Sequence, residues 1–181
     1  MKTFNAHHNL QFQWNSPTFV MLVGLPGSGK STFTKDFIRL IDEDILVAST
    51  DDLVEIEAKK LNITYSEMFN QLDHKKLKQQ VQANVIQAFS ENKSIIYDQT
   101  NMSSKTRKSK LSNVPKHYKK ICLNFLIDDK ILQQRLYDRS KQTGKNISDF
   151  IIDSMKSSYQ IPSKEEGFDL VIEINNNLNK D

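Results

Sequence analysis

Short apolar runs alternate along the chain with longer stretches of mixed polarity. Thr18-Phe-Val-Met-Leu-Val23, bounded by Pro17 and Gly24, predicts a strand buried on both faces. Phe33, Phe37 and Ile41 recur at helical spacing and predict a helix over residues 30–41. Further buried strands are predicted over residues 45–48, 95–97, 121–127 and 170–174, with helices over residues 51–61, 103–111, 128–141 and 148–159. Thr64 followed three residues later by Glu67 has the form of a capping box, and predicts one long helix from there to about Ser90. Apolar strands alternating with helices make an α/β fold, a five-stranded parallel sheet sandwiched by helices. In such sheets ligands sit beyond the carboxyl ends of the strands, so chemistry is sought there.

Composition sets bounds on this fold. The chain has 181 residues, 38% hydrophobic and 26% charged, with a formal net charge of +3, enough for one domain with a core and a polar surface. Residues 1–16 are polar and read as an irregular arm before a domain over 17–181; they lack the apolar stretch of a secretory signal. His7 and His8 are adjacent, a poor arrangement for two ligands to one metal. No apolar run reaches the ~20 residues of a membrane span, so a cytoplasmic protein without membrane contact is expected. The single cysteine, Cys122, precludes an intrachain disulfide and reads as a small residue in a buried strand.

Gly24-Leu-Pro26-Gly27-Ser28-Gly29-Lys30-Ser31 fits G-x-x-x-x-G-K-[ST] between a predicted strand and a predicted helix. Glycines let successive backbone N–H groups turn inward on phosphate oxygens, and the helix start adds unpaired N–H groups. Lys30 is positioned for the β- and γ-phosphates, Ser31 for Mg²⁺, and Thr32 for a further phosphate contact. A nucleoside triphosphate, ATP, with Mg²⁺ is the expected ligand.

The acidic strand ends narrow the reaction. The second strand runs into Ser49-Thr50-Asp51-Asp52, where one carboxylate can accept the proton of an incoming hydroxyl and the other can cap the next helix; Asp51 is the candidate base. The third runs into Asp98-Gln-Thr100-Asn101, with Asp98 at a Walker B position near the metal, or heading an Asx-type turn. Thr100 and Asn101 offer neutral hydrogen-bonding groups to a substrate. From residue 99 to 127 there is no acid, while Lys105, Arg107, Lys108, Lys110, Lys116, Lys119 and Lys120 fall there. Such cations bind nucleic acid phosphates, or else form an ordinary solvated face; Lys116-His117-Tyr118 adds an aromatic able to stack a base, although Tyr97 and Tyr118 also suit packing. Thr143-Gly-Lys-Asn146, between two helices, is a candidate lid hinge.

Together these pieces resemble the polynucleotide 5′-kinase family of P-loop phosphotransferases, the phage and bacterial end-healing type. The matching segments are the loop through Thr32, Ser49-Thr-Asp51, Asp98-Gln-Thr-Asn101, Arg135-Leu-Tyr-Asp-Arg139 and Pro162-Ser-Lys-Glu-Glu-Gly-Phe-Asp169. The resemblance implies a P-loop fold with a helical lid, and transfer of the γ-phosphate of ATP to the 5′-hydroxyl of an RNA or DNA end. It implies Lys30, Asp51, Asp98 and Arg139 as catalytic residues, Ser31 and Asp98 at the metal, and Arg135 beside Arg139 at the donor. Asp51, Thr100, Asn101 and Arg107 would meet the acceptor. One departure stands out: Val54 occupies a position where these kinases usually carry an arginine for an acceptor phosphate. A small-molecule kinase, acting on a nucleoside, sugar or sugar nucleotide, and a nucleotide-switched binding module share the loop and are the alternatives.

Overall fold

The computed structural model describes residues 17–41 and 43–177, together with the backbone pairing of two short strands, β1 (Lys2–Thr3) and β2 (Gln13–Trp14). Lys2 pairs Trp14 and Thr3 pairs Gln13, so the segment expected to be wholly irregular contains a small antiparallel ladder. His7 and His8 lie outside the described residues.

The main sheet has five parallel strands, β3 (Thr18–Val23), β4 (Ile45–Ala48), β5 (Ser94–Asp98), β6 (Lys119–Leu126) and β7 (Leu170–Asn175), in the order β4-β5-β3-β6-β7. Central β3 is buried throughout and alternates its side chains between two cores. Val20 and Leu22 pack with Phe33 and Phe37 of helix α1 (Lys30–Leu40). Phe19, Met21 and Val23 pack on the other face with Val81, Val85 and Ala88 of α4 (His74–Ser90) and Leu111 of α5 (Ser104–Leu111). Cys122 belongs to this second core, and burial pushes its thiol up to about 12.

A third, smaller cluster of Val54, Ala58 and Met68 joins α2 (Thr50–Leu61) to α3 (Tyr65–Gln71) beyond β4. The long helix predicted from Thr64 to Ser90 is two helices. Thr64 and Glu67 form the capping box of α3, but Leu72 turns extended and Asp73 opens α4, its carboxylate accepting from the N–H groups of Lys75 and Lys76. A carboxylate cap restarting a helix wins here over apolar periodicity that runs through the break. Helices α6 (Asp129–Thr143) and α7 (Asp149–Ser158) follow β6, joined by the lid stretch, and a 3₁₀ turn (Lys164–Glu166) precedes β7. Among the described residues no helix is long and apolar enough to cross a membrane.

Candidate active site

The phosphate loop leaves β3 at Gly24 and enters α1 at Lys30. Gly24, Gly27 and Gly29 all have positive φ, and a Cβ on Gly24 would come within 2.8 Å of the Phe125 carbonyl, so only glycine fits that corner. Two contacts stitch the loop to the end of β5. The Gly24 N–H donates to the Thr100 carbonyl at 3.0 Å, and the Asn101 side-chain amide donates to the Leu22 carbonyl at 2.7 Å. From the other side, Asn176 at the end of β7 donates to the Ser28 carbonyl at 2.7 Å. Arg135 of α6 reaches the carbonyls of Gly27 and Asn176, so the residue expected at the donor braces the loop against β7. Pro26 and Gly29 are half-buried in the loop, and Thr32 is exposed one residue beyond Ser31.

Lys30 is buried and curls over the loop, its Nζ donating to the carbonyls of Gly24 and Leu25 at 2.9 and 2.8 Å. Burial lowers its pKa to about 8, against the pull of Asp98 and Asp51. Ser31 Oγ donates to Asp98 Oδ2 at 3.1 Å. Burial raises the Asp98 carboxyl, opposed by Lys30 and Ser31 and reinforced by Asp52 and Asp51. This hydroxyl and carboxylate are hard oxygen donors of the kind Mg²⁺ takes beside substrate phosphates, so the residues fit the ion. Asp98 spends its Oδ2 on Ser31, which favours the metal-side alternative over a local turn.

At the end of β4, Ser49 caps α2, its Oγ accepting from the Asp52 N–H at 3.1 Å. The capping role left open for Asp51 or Asp52 therefore falls to Ser49. Asp51 Oδ1 accepts from the Tyr65 hydroxyl at 2.9 Å, and Oδ2 pairs with Lys145 Nζ at 2.6 Å. Burial pushes this carboxyl up, but Lys145, Tyr65 and Arg139 outweigh burial and hold it below the ordinary value. Lys145 is itself buried, lies 3.9 Å from the centre of the Tyr65 ring, and comes within 3.8 Å of Glu55.

Arg139 of α6 faces the same cleft, close enough to Asp51, Tyr65 and Glu55 for their charges to act on it, and burial lowers its pKa. Its Nε and Nη2 are buried with no hydrogen-bond partner. A guanidinium held this way is suited to an anion, because leaving buried donors unpaired is costly. Ser28 Oγ, at the loop, is likewise buried and unpaired. The structure thus gathers Lys30, Ser31, Asp51, Asp98 and Arg139 at the carboxyl edge of the sheet, where an acyclic chain of phosphates and a hydroxyl can meet.

Two expected acceptor contacts, Arg107 and Asn101, are placed otherwise. Arg107 is fully buried, forking onto Glu166 at 2.7 and 2.6 Å and onto the carbonyls of Asn101 and Met102, so it clamps α5 to the 3₁₀ turn and cannot reach an acceptor. Asn101 is buried, with positive φ, and serves the stitch under the loop. Thr100 is half-buried and lends its backbone carbonyl to Gly24. The cation-rich stretch does not form one catalytic rim either. Lys119 and Lys120 pair with Thr18 and Phe19 at the amino ends of the strands, the opposite edge from the loop. Tyr118 is buried against Phe89 with its hydroxyl on the Lys93 carbonyl, and cannot stack a base.

Sequence inspection missed Tyr65 and singled out Lys145 only as part of a flexible stretch. That stretch is docked: Ser66 Oγ donates to the Gly144 carbonyl at 2.6 Å, bringing the α6–α7 connection onto α3. The one signal for Tyr65 was its place directly after a capping threonine.

Comparison with known proteins gives the frame for this geometry. No curated protein matches the chain. Among solved structures, a chain from "Structure of the Pnkp1/Rnl/Hen1 RNA repair complex" is 26% identical with a TM-score of 0.63; the match covers 81% of this chain and 45% of that one, so this chain spans just under half its length. A gluconokinase from Sinorhizobium meliloti 1021 is 12% identical, TM-score 0.55, over 90% of this chain and 85% of that one. A putative kinase from Chloroflexus aurantiacus is 13% identical, TM-score 0.60, over 90% of both. The last two share the fold, that of P-loop kinases. The AAA_33 family, described as an AAA domain, matches from residue 19 to residue 162, from the central strand to beyond the lid helices, and the chain belongs to that family.

Proposed function

We propose that the protein is an ATP- and Mg²⁺-dependent kinase that phosphorylates the 5′-hydroxyl of an RNA or DNA end. The observation carrying this is a carboxylate, Asp51, close enough to Lys30 of the phosphate loop and to Arg139 for its charge to act on both, with two buried guanidinium nitrogens of Arg139 left without a hydrogen-bond partner. The polynucleotide acceptor is supported by the 26% identity to the chain from the RNA repair complex and by the Ser49-Thr-Asp51 and Asp98-Gln-Thr-Asn101 segments.

In this mechanism the loop amides and Lys30 hold the donor phosphates, and Arg139 neutralises charge on the moving phosphoryl group. Ser31 and Asp98 would hold Mg²⁺, which supplies neutralisation of the β- and γ-phosphates when bound. Asp51 accepts the hydroxyl proton as the acceptor oxygen bonds to the γ-phosphorus and the bond to the β-bridging oxygen breaks, releasing ADP. Transfer gains mainly from alignment and charge, both of which these side chains provide.

The test offers ATP labelled at the γ position to 5′-hydroxyl RNA, 5′-hydroxyl DNA, nucleosides and sugars in parallel. Label on the oligonucleotide 5′ end, lost in Asp51→Asn with ATP binding retained, is the expected result. Label on a sugar alone would move the chain to the small-molecule kinases, and nucleotide binding without any labelled product would make it a switch.

A further inference from the structure

Each oxygen of the Asp51 carboxylate accepts from a donor on a different part of the chain. Tyr65 of α3 donates its hydroxyl to Oδ1 at 2.9 Å, and Lys145 of the α6–α7 connection donates to Oδ2 at 2.6 Å. The terminal torsion of an aspartate is soft, so two donors on opposite oxygens are what fixes the plane of its carboxylate. The donors also fix each other. The Lys145 ammonium lies 3.9 Å from the centre of the Tyr65 ring, and that ring stacks on Phe69 with centroids 5.8 Å apart and planes at 25°. Lys145 is buried and reaches Glu55, one turn along α2 from Asp51, at 3.8 Å.

The connection reaches Asp51 because the start of α3 receives it. Three consecutive residues there meet Gly144 and Lys145. Thr64 backs Gly144, where an added Cβ would lie 3.6 Å from the threonine side chain; Tyr65 lies under the Lys145 ammonium; Ser66 Oγ donates to the Gly144 carbonyl at 2.6 Å. Gly144 ends α6 in the left-handed region, at φ 69°, a turn that glycine makes without strain. Helix α6 thus carries Arg139 near its end and hands the chain directly to Lys145.

We propose that Tyr65 and Lys145 are positioning residues that hold Asp51 in the orientation that receives the acceptor proton, and that docking of the α6–α7 connection on α3 sets this orientation, so that the helix presenting Arg139 to the donor also readies the base. This rests on the reading of Asp51 as base and deepens it, for any hydroxyl acceptor.

The charged and titratable groups around Asp51 are Lys145 and Tyr65, Arg139 of α6, Lys30 of α1, Asp98 at the end of β5, Asp52 and Glu55 on its own helix, and His74 and Lys78 of α4 across an adjoining pocket. Tyr65→Phe removes one hydroxyl from this set and leaves the ring under Lys145 and against Phe69. The experiment follows wild type, Tyr65→Phe, Tyr65→Leu and Ser66→Ala by two readouts: the titration of the Asp51 carboxyl by carbon NMR, and the pH–rate profile of transfer at saturating labelled ATP. In Tyr65→Phe, loss of a donor to a charged oxygen raises the titration and the acid limb together by about half to one pH unit; plateau kcat falls roughly tenfold and ATP affinity is unchanged. Tyr65→Leu also removes the ring under Lys145 and shifts both further. Ser66→Ala removes only the bond to Gly144 and moves both the same way by less. A Tyr65→Phe enzyme that loses rate with its titration in place, or matches wild type in both, overturns the positioning role and leaves the kinase reading standing; a Ser66→Ala profile identical to wild type overturns the docking part. If sugars alone take the label, the polynucleotide acceptor falls and the same readouts still decide the role of Tyr65. If no hydroxyl takes label, both fall together.

Discussion

Replacing Lys145 by methionine removes the cation that sits 2.6 Å from Asp51 Oδ2 while keeping most of its apolar stem over Tyr65. Two unit charges about 4 Å apart attract by ~1 kcal/mol in bulk water and ~4 kcal/mol at an effective dielectric of about 20. The Asp51 side chain is 54% exposed, so solvent screens the pair and the lower end applies. A loss of roughly 1–2 kcal/mol corresponds to an upward shift of about one pKa unit. The sign follows directly: with Lys145 present the carboxyl sheds its proton at lower pH, and the basic form persists further into acid. In Lys145→Met the acid limb of kcat/KM for the acceptor moves up by about one pH unit, and Lys145→Arg restores it. The assay is a pH–rate profile at saturating ATP, with kcat at the plateau followed alongside. An acid limb that stays in place in Lys145→Met would show that the ion pair does not set the titration of the base.

Asp51→Asn keeps the geometry of α2 and should cost about 10²–10⁴-fold in transfer, with ATP affinity by calorimetry little changed. Arg139→Lys loses the fork that its unpaired nitrogens present, and is expected to lower kcat by roughly 10²-fold or more with the acceptor KM nearly constant in steady-state assays. Arg107→Met strands Glu166 in a buried site, and denaturant melts should show a loss of about 3–5 kcal/mol, whereas the nearby exposed Lys108→Met changes stability little. Because the Asp51 carboxyl is held below its ordinary value, its pair with Lys145 stabilises the fold above the unfolded-state pKa and fades as pH falls through the folded one. Thermal melts of wild type and Lys145→Met should therefore differ at neutral pH and converge in acid.

The strands and the loop were legible because each announces itself locally. A run such as Thr18–Val23 is apolar at every step, and a glycine-lysine-serine turn between strand and helix needs no distant partner to be read. What stayed hidden depends on contacts between remote segments. Lys145 is one of 21 lysines, in a loop without periodicity, and reaches Asp51 across 94 residues. Arg107 lies in a helix that is polar except for Leu111, and only the fold brings Glu166 around it, 59 residues later. The break between α3 and α4 was readable in part, since Asp73 is a good cap, but Leu72 and Leu77 continue the apolar pattern through it.

The small α2–α3–α4 cluster of Val54, Ala58 and Met68 is separate from the two layers that hold the sheet and the loop. Under the kinase reading proposed above, this separate packing unit, tied to the sheet through Leu53 of α2 and Val81 and Val85 of α4, makes the recipient half a replaceable cartridge. Side chains there can be exchanged, in evolution or by engineering, to admit a new alcohol while the machinery that grips the triphosphate is left as it stands.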